Sequence, residues 1–327
     1  MLTVVIIGYG EMFSNIIAGV LDSGAQIAGV FRHDRIKYSD FTLKIKDMFN
    51  PETDYNYIKS YGLHEIKAKS VNCENFRKQL LKLNPDIMIA ASWSEKIEKL
   101  TYDIPKLASI NVHPSLLPGY RGPNPYIQVI KNREKVSGVT LHLIDSNWDT
   151  GAILEQREVE IYETDTGKEL KTRTAQSARG AVCELLQKMS EDVVFPVIQN
   201  EQYASYYSND FDTDLDFNKP VEEIIAQIRA IHPWGRTYFY HKNEILSPDP
   251  YKLEILEDST KTARNGTIIA SDYRNGSITV LCSNNKLLKM GGLKLYGKYK
   301  QFFSKAYIKN FIKIGDILNA ESEKFPK

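Results

Sequence analysis

Asn111-Val112-His113 is the place where residue types and spacing first suggest chemistry. The apolar run Leu107–Val112 reads as a buried strand, and residues two apart on a strand share one face. Ligands of open α/β sheets gather outside the carboxyl ends of the strands. There, an amide N–H beside an imidazole can hold a developing oxyanion and move a proton. Pro114, Pro118 and Pro123, with Gly119 and Gly122, stiffen the loop that follows, as suits a pocket wall. By itself the pair fits a structural Asn and a hydrogen-bonded His slightly better than a catalytic pair.

A second segment, Ser137 to Gly151, reads as a strand running into a loop with two carboxylates, Asp145 and Asp149. Asp149 could orient an imidazole or take a proton through water; capping of its own loop fits it equally well. Two carboxylates without a further His, Asp or Glu cluster make no metal site, so no metal is expected. Gly8-Tyr9-Gly10 follows the first apolar run. The third glycine of a dinucleotide fingerprint would fall at Phe13, and no acidic ribose partner follows in the expected context. A tight strand-to-helix turn is the expectation there.

The elements that must position these residues alternate. Residues 2–7 are continuously apolar, 11–21 have helical spacing and 26–31 form a second short run, which makes a βαβ unit. A helix at 73–83, strands at 87–91, 107–112, 138–144 and 152–161, and a long amphipathic helix at 167–189 complete the N-terminal half. The predicted fold class is α/β, a doubly wound, mostly parallel Rossmann-like sheet. Residues 206–220 read as a connection, and a helix at 221–231 stops at His232-Pro233. From 236 the pattern turns to short β runs at 237–240, 252–256, 266–270, 276–282 and 286–290, separated by turn signals such as Asn265-Gly266 and Asn275-Gly276. These predict a smaller C-terminal β-barrel or OB-like domain. The expected division is 1–205, then a linker and connecting helix at 206–235, then 236–327.

Composition is that of a globular chain of 327 residues, long enough for two domains, with 42% hydrophobic and 25% charged residues. Cys73, Cys183 and Cys282 stand far apart, so reduced thiols in a cytoplasmic protein are expected. The N-terminus lacks a basic region before its apolar run, and no apolar stretch is long enough for a membrane span. Net charge is +1, but residues 251–327 hold 14 Lys and Arg against 7 Asp and Glu. Within them, 289–309 carries Lys289, Lys294, Lys298, Lys300, Lys305 and Lys309 with no acid, interleaved with Tyr296, Tyr299 and Tyr307. Such a face can neutralise phosphates; a plain solvated basic face fits almost as well.

Asn111-x-His113, Ser115-Leu116-Leu117-Pro118, Arg121-Gly122, Gly138-Val139-Thr140 and Asp149-x-Gly151 together resemble the signature of folate-dependent formyltransferases. Ile228 to Trp234 and the β-rich C-terminal stretch ending in Ile314-Gly315-Asp316 are similar to the two-domain members, which act on methionyl-tRNA or nucleotide sugars. The resemblance implies 10-formyltetrahydrofolate as co-substrate and no metal. It implies Asn111, His113 and Asp149 as catalytic residues. It places the folate against Ser115, Leu116, Leu117 and Pro118 and the loop Asp145, Ser146, Asn147 and Trp148. The expected acceptor is initiator Met-tRNA; the alternative is a dTDP- or UDP-linked amino sugar. No obligate protein partner is expected.

Two departures bear on the acceptor. The tRNA enzymes usually have Gly after the catalytic His and small residues after Arg-Gly, whereas this chain has Pro114 and Pro123-Asn124-Pro125-Tyr126. Tyr126 would be available there to stack or bond. The tRNA enzymes also carry a basic loop near the second strand. Here 32–47 holds Arg32, Arg35, Lys37, Lys44 and Lys46, but also three Asp.

Overall fold

The computed structural model describes residues 1–33, 40–49, 54–257 and 263–319. Two residues of the expected basic segment, Arg35 and Lys37, lie outside these, as do the side chains of Lys44 and Lys46.

The first compact unit comprises Met1–Tyr126, Lys135–Ile161 and Leu170–Asn209. Its strands are β1 (Thr3–Gly8), β2 (Gln26–Arg32), β3 (Ile87–Ala91), β4 (Ala108–His113), β5 (Val136–Leu143) and β6 (Ile153–Glu160). Its main helices are α1 (Gly10–Asp22), α2 (Asp40–Phe49), α3 (Asp54–Ser60), α4 (Glu74–Leu83) and α5 (Lys99–Tyr102), with α6 (Pro125–Lys131) and α7 (Gly167–Ser190) beginning or ending in it. The strands form one six-stranded sheet in the order β2-β1-β3-β4-β5-β6. β1 to β4 are parallel; β5 runs antiparallel to β4, and β6 antiparallel to β5.

The apolar run of β1 is explained by what covers it. Val4 and Ile6 enter one core with Ile16, Ile17 and Val20 of α1 and Ala178, Val182 and Leu185 of α7. Val5 and Ile7 enter another with Phe76 and Leu80 of α4. Alternate side chains of one strand thus feed opposite layers, so neither face can be polar.

The second unit comprises Ile127–Glu134, Tyr162–Glu169 and Asp210–Lys327. It contains α8 (Val221–Ile231), β7 (Phe239–His241), β8 (Glu244–Ser247), β9 (Leu253–Glu257), β10 (Ile268–Asp272), β11 (Ser277–Leu281), β12 (Lys286–Met290), β13 (Lys294–Leu295) and α9 (Ser304–Phe311). The strands form two sheets, β10-β11-β12-β9 and β13-β8-β7, antiparallel throughout. One core unites them: Phe239, Leu246, Ile278, Val280, Leu288 and Met290, closed by Ile308 of α9. Residues 206–235, expected as a connection, feed that core with Leu215, Phe217, Val221, Ile224 and Ile228. β8 and α9 were not legible as elements. The first is a four-residue strand, and the second buries only Ser304 and Ile308.

Among the described residues, no helix is long and apolar enough to cross a membrane. The three cysteines are free, and burial pushes the Cys282 thiol up to about 12.

Candidate active site

β4 and β5 build the site by pairing. Asn111 stands opposite His142 across the ladder, and His113 opposite Thr140. Side chains directly opposite on one face come within bonding reach. The chain after β5 then turns back, and Asp149 meets both β4 residues. Its Oδ1 is 3.4 Å from His113 Nδ1 and accepts from Asn111 Nδ2 at 3.4 Å. The structure therefore brings Asn111, His113 and Asp149 together, and buries His113 and Asp149.

Each of the three is held from behind. His113 Nε2 donates to the Tyr120 carbonyl, 2.9 Å away, which leaves Nδ1 as the ring atom that faces Asp149. Asp149 Oδ2 accepts from the Gly122 backbone N–H at 2.9 Å. Gly122 has φ +114°, and a Cβ there would stand 2.1 Å from the Tyr207 carbonyl oxygen, so only glycine fits. Asn111 Nδ2 lies 3.0 Å from His142 Nε2. His142 Nδ1 donates to its neighbour's carbonyl, Leu143 O, at 2.8 Å, so Nε2 is the acceptor for the Asn111 amide. Burial, and then the nearby His113, lower the His142 pKa to about 4 against the pull of Asp149, and the ring is neutral at neutral pH.

A buried cation supports the loop. Arg121 sends Nη1 and Nη2 to Glu201 at 2.9 and 2.7 Å, and Nε and Nη2 to Gln199 Oε1 at 3.2 and 2.7 Å. Gln199 Nε2 in turn donates to the carbonyls of Asp149 and Gly151 at 2.9 and 2.7 Å. Arg121 is thereby fixed as scaffold for the Asp149 turn.

The residues expected to hold folate divide into two groups. Ser115 is fully buried and its hydroxyl donates to the Gly119 carbonyl at 2.8 Å, so it shapes the loop. Leu116 packs onto Gly138, where a Cβ would approach Leu116 Cδ2 to 2.3 Å. The Leu117 N–H donates to Thr140 Oγ1 at 3.1 Å, and the Leu117–Pro118 peptide is cis. Asp145 accepts from the Asn147 N–H and from Thr150 Oγ1 at 3.0 and 2.8 Å, so it caps the turn. Ser146, Asn147 and Trp148 are exposed on that turn.

Three expectations are refined. Tyr126 is buried, not available at a surface, and burial pushes its phenol pKa up. The first N–H of α1, at Gly10, donates to Asp54 Oδ2 at 2.8 Å, and Phe13 is core, as a plain turn requires. Of the six lysines at 289–309, Lys289 pairs with Glu254 and Lys300 with Glu244, both at 2.8 Å. Among the described residues, no group of three or more His, Cys, Asp or Glu could hold a metal ion.

Two family models match the chain. "Formyl transferase" covers residues 2–186, and "Formyl transferase, C-terminal domain" covers 209–306. The chain belongs to the formyl transferase family.

Relatives within and around the formyl transferases agree with this. A methionyl-tRNA formyltransferase of Halothermothrix orenii is 31% identical over 79% of this chain and 82% of its own. One of Clostridium beijerinckii is 32% identical over 72% and 76%. Among solved structures, an N-formyltransferase from Helicobacter canadensis, in complex with folinic acid and dTDP-3-aminofucose, shares the fold. Its TM-score is 0.66 at 19% identity, over 90% of this chain and all of that one. HypX from Aquifex aeolicus, in complex with tetrahydrofolic acid, has a TM-score of 0.63 at 12% identity, over 97% of this chain and 49% of its own.

In the sequence of this formyl transferase, Thr140 stood out only as part of the motif Gly138-Val139-Thr140, and His142, Gln156 and Gln199 carried no assigned role. Gln156 Nε2 donates to the Leu117 carbonyl at 3.0 Å and to Thr140 Oγ1 at 2.8 Å. The signal for His142 and Thr140 was present: two polar residues at alternate positions of the otherwise apolar run Val139 to Leu143. Gln199 carried no such signal, because it lies far along the chain from everything it touches.

Proposed function

We propose that this chain transfers the formyl group of 10-formyltetrahydrofolate to the amine of initiator methionyl-tRNA. The observation that carries formyl transfer is the convergence of Asn111, His113 and Asp149 at the carboxyl end of β4. The neutral amine attacks the formyl carbon, and an oxyanion develops on the formyl oxygen. The 3.4 Å contact between Asn111 Nδ2 and Asp149 is the long one of its two, so that N–H is the one to turn onto the oxyanion. His113 Nδ1, the ring atom beside Asp149, is placed to relay the proton of the attacking amine to that carboxylate. Asp149 holds His113 and takes the amine proton, through water where needed; protonated N10 leaves as tetrahydrofolate. The exposed turn Ser146–Trp148 and the Leu116–Pro118 backbone are the proposed folate walls, with Ser115 and Asp145 holding the two loops.

The methionyl-tRNA acceptor rests on relatives of about 30% identity that span most of both chains. The remaining lysines of 289–309 supply charge for phosphates. A dTDP- or UDP-linked amino sugar is the second reading. It is favoured by the loop Pro123–Tyr126, where Asn124 Oδ1 is buried without a hydrogen-bond partner among the described residues. An amine or hydroxyl of an acceptor would satisfy it. We place the reaction in the cytoplasm, in keeping with a tRNA acceptor.

The test is tetrahydrofolate release from 10-formyltetrahydrofolate with charged initiator Met-tRNA or with dTDP- and UDP-linked amino sugars. Turnover with tRNA that weakens steeply with salt supports the first reading. Turnover with sugars alone moves the acceptor to the second. Release with neither overturns both.

A further inference from the structure

Three consecutive strands of the sheet each end in an aromatic ring. Tyr9 follows β1, His33 follows β2, and Trp93 stands two residues after β3. Arg32, Gly8, Ala91 and Val112 are neighbours in register, so these rings leave the same carboxyl edge as His113. They form a continuous row. The Tyr9 and His33 centroids are 5.3 Å apart, and those of His33 and Trp93 are 5.4 Å apart at 83°. Phe31, 5.5 Å from Trp93, and Phe76, 5.1 Å from Phe31, continue the row into the core. The row is rooted in buried rings and ends in an open one, since Tyr9 is 44% exposed.

Two polar features sit along it. His33 Nε2 lies 3.1 Å from Ser94 Oγ. The Trp93 indole N–H is buried and has no hydrogen-bond partner among the described residues. A buried unmet donor is uncommon and calls for an acceptor. Ser92, with φ +52°, takes the turn that delivers Trp93, a conformation few residues other than glycine adopt. A phosphate is not what this edge is built for, because the Asp54 carboxylate already occupies the first N–H of α1. An aromatic face with a donor beside it suits a flat ring that carries carbonyl or ring-nitrogen acceptors.

Position adds to the chemistry. β3 alone separates β1 from β4. Two strand spacings put the ends of β1 and β4 about 10 Å apart. One molecule can therefore rest a ring at Tyr9 and present an amine near His113. We propose that Tyr9, His33 and Trp93 form a slot for the nucleobase of the acceptor. This rests on the reading that the acceptor is a nucleotide-bearing amine. The shared chemistry is a nucleobase, either the terminal adenosine of a charged tRNA or the base of a nucleotide sugar.

The test is calorimetric binding of AMP, dTDP and UDP to the full-length protein, with folinic acid binding as the control for an intact fold. Saturable binding is expected, with AMP preferred if the base is the tRNA end, and dTDP or UDP preferred if it is a free nucleotide. Tyr9→Ala weakens it about tenfold, in line with the usual worth of one base stacked on an aromatic ring. Tyr9→Phe retains it, and Trp93→Phe, which keeps a ring but removes the indole N–H, weakens it. Nucleotide binding equal to wild type in both Tyr9→Ala and Trp93→Phe overturns the slot. So does the absence of nucleotide binding, at millimolar concentration, in protein that binds folinic acid. Tyr9-sensitive nucleotide binding without formyl transfer to any acceptor sinks the transferase reading and keeps the slot. Formyl transfer whose acceptor KM is indifferent to Tyr9→Ala does the reverse.

Discussion

Asn111 Nδ2 lies 3.0 Å from His142 Nε2, and the histidine decides which way the asparagine points. With its Nδ1 proton committed to the Leu143 carbonyl, His142 can only accept, so the Asn111 amide must turn its NH2 inward. His142→Phe removes that acceptor and frees the amide to flip. We expect kcat to fall about 10²-fold, the scale of a misplaced reacting group, with folate affinity held. His142→Gln, whose amide oxygen can still accept, should recover part of the rate. Equal rates in wild type and His142→Phe would remove the positioning role.

The same ring makes stability depend on pH. Its folded pKa, about 4, lies below the ordinary 6.5, so the folded state resists protonation of this residue. The contribution is complete above pH 6.5 and is lost as pH falls from 6.5 toward 4. Urea midpoints of wild type should drop across that window, and those of His142→Gln should drop less.

Asn111→Ala deletes an oxyanion donor and should lower kcat by about 10²–10³. Asp149→Asn keeps an oxygen for the Gly122 N–H but removes the charge opposite His113; a comparable loss is expected. Single-turnover formyl transfer at saturating folate measures both, and near-normal rates would strip these residues of the proposed roles.

Arg121→Lys should act on stability first. A lysine cannot reproduce the fork that meets Glu201 and Gln199 together. Gln199 Oε1, left without those donors, should lower stability by about 1–3 kcal/mol in chemical denaturation. A variant as stable as wild type would contradict the scaffold reading.

Asp86 anchors the first strand from the other end of the sheet. Its carboxylate takes Lys106 Nζ at 2.9 Å and the Thr3 N–H and hydroxyl at 2.8 Å each. The Lys106 bond, and then the Thr3 bonds, lower its pKa from 3.8 to about 2. The stabilisation is present above pH 3.8 and lost as pH falls toward 2. Asp86→Asn should therefore be less stable than wild type at pH 7, with the difference vanishing near pH 2 in thermal melts.

The sequence by itself determined the layered sheet, because period, apolar runs and turn residues are local properties. Val4 to Ile7 could only be a strand covered on both faces, and α1, α4 and α7 followed from helical spacing. It also determined the clustering of Asn111 and His113, since residues two apart on a strand share a face. Only the tertiary structure decided what those residues meet. That Asp149 faces His113 while Asp145 caps its own turn depends on how the chain folds back after β5. That Arg121 is scaffold depends on Gln199 and Glu201, which lie 78 and 80 residues away. The Tyr126 ring lies buried where the loop sequence suggested an open one. The row Tyr9, His33, Trp93 comes from three loops far apart in sequence, and parallel strand order alone makes them adjacent. Spacing along the chain encodes the direction of a side chain within one element; pairing between elements decides its partner.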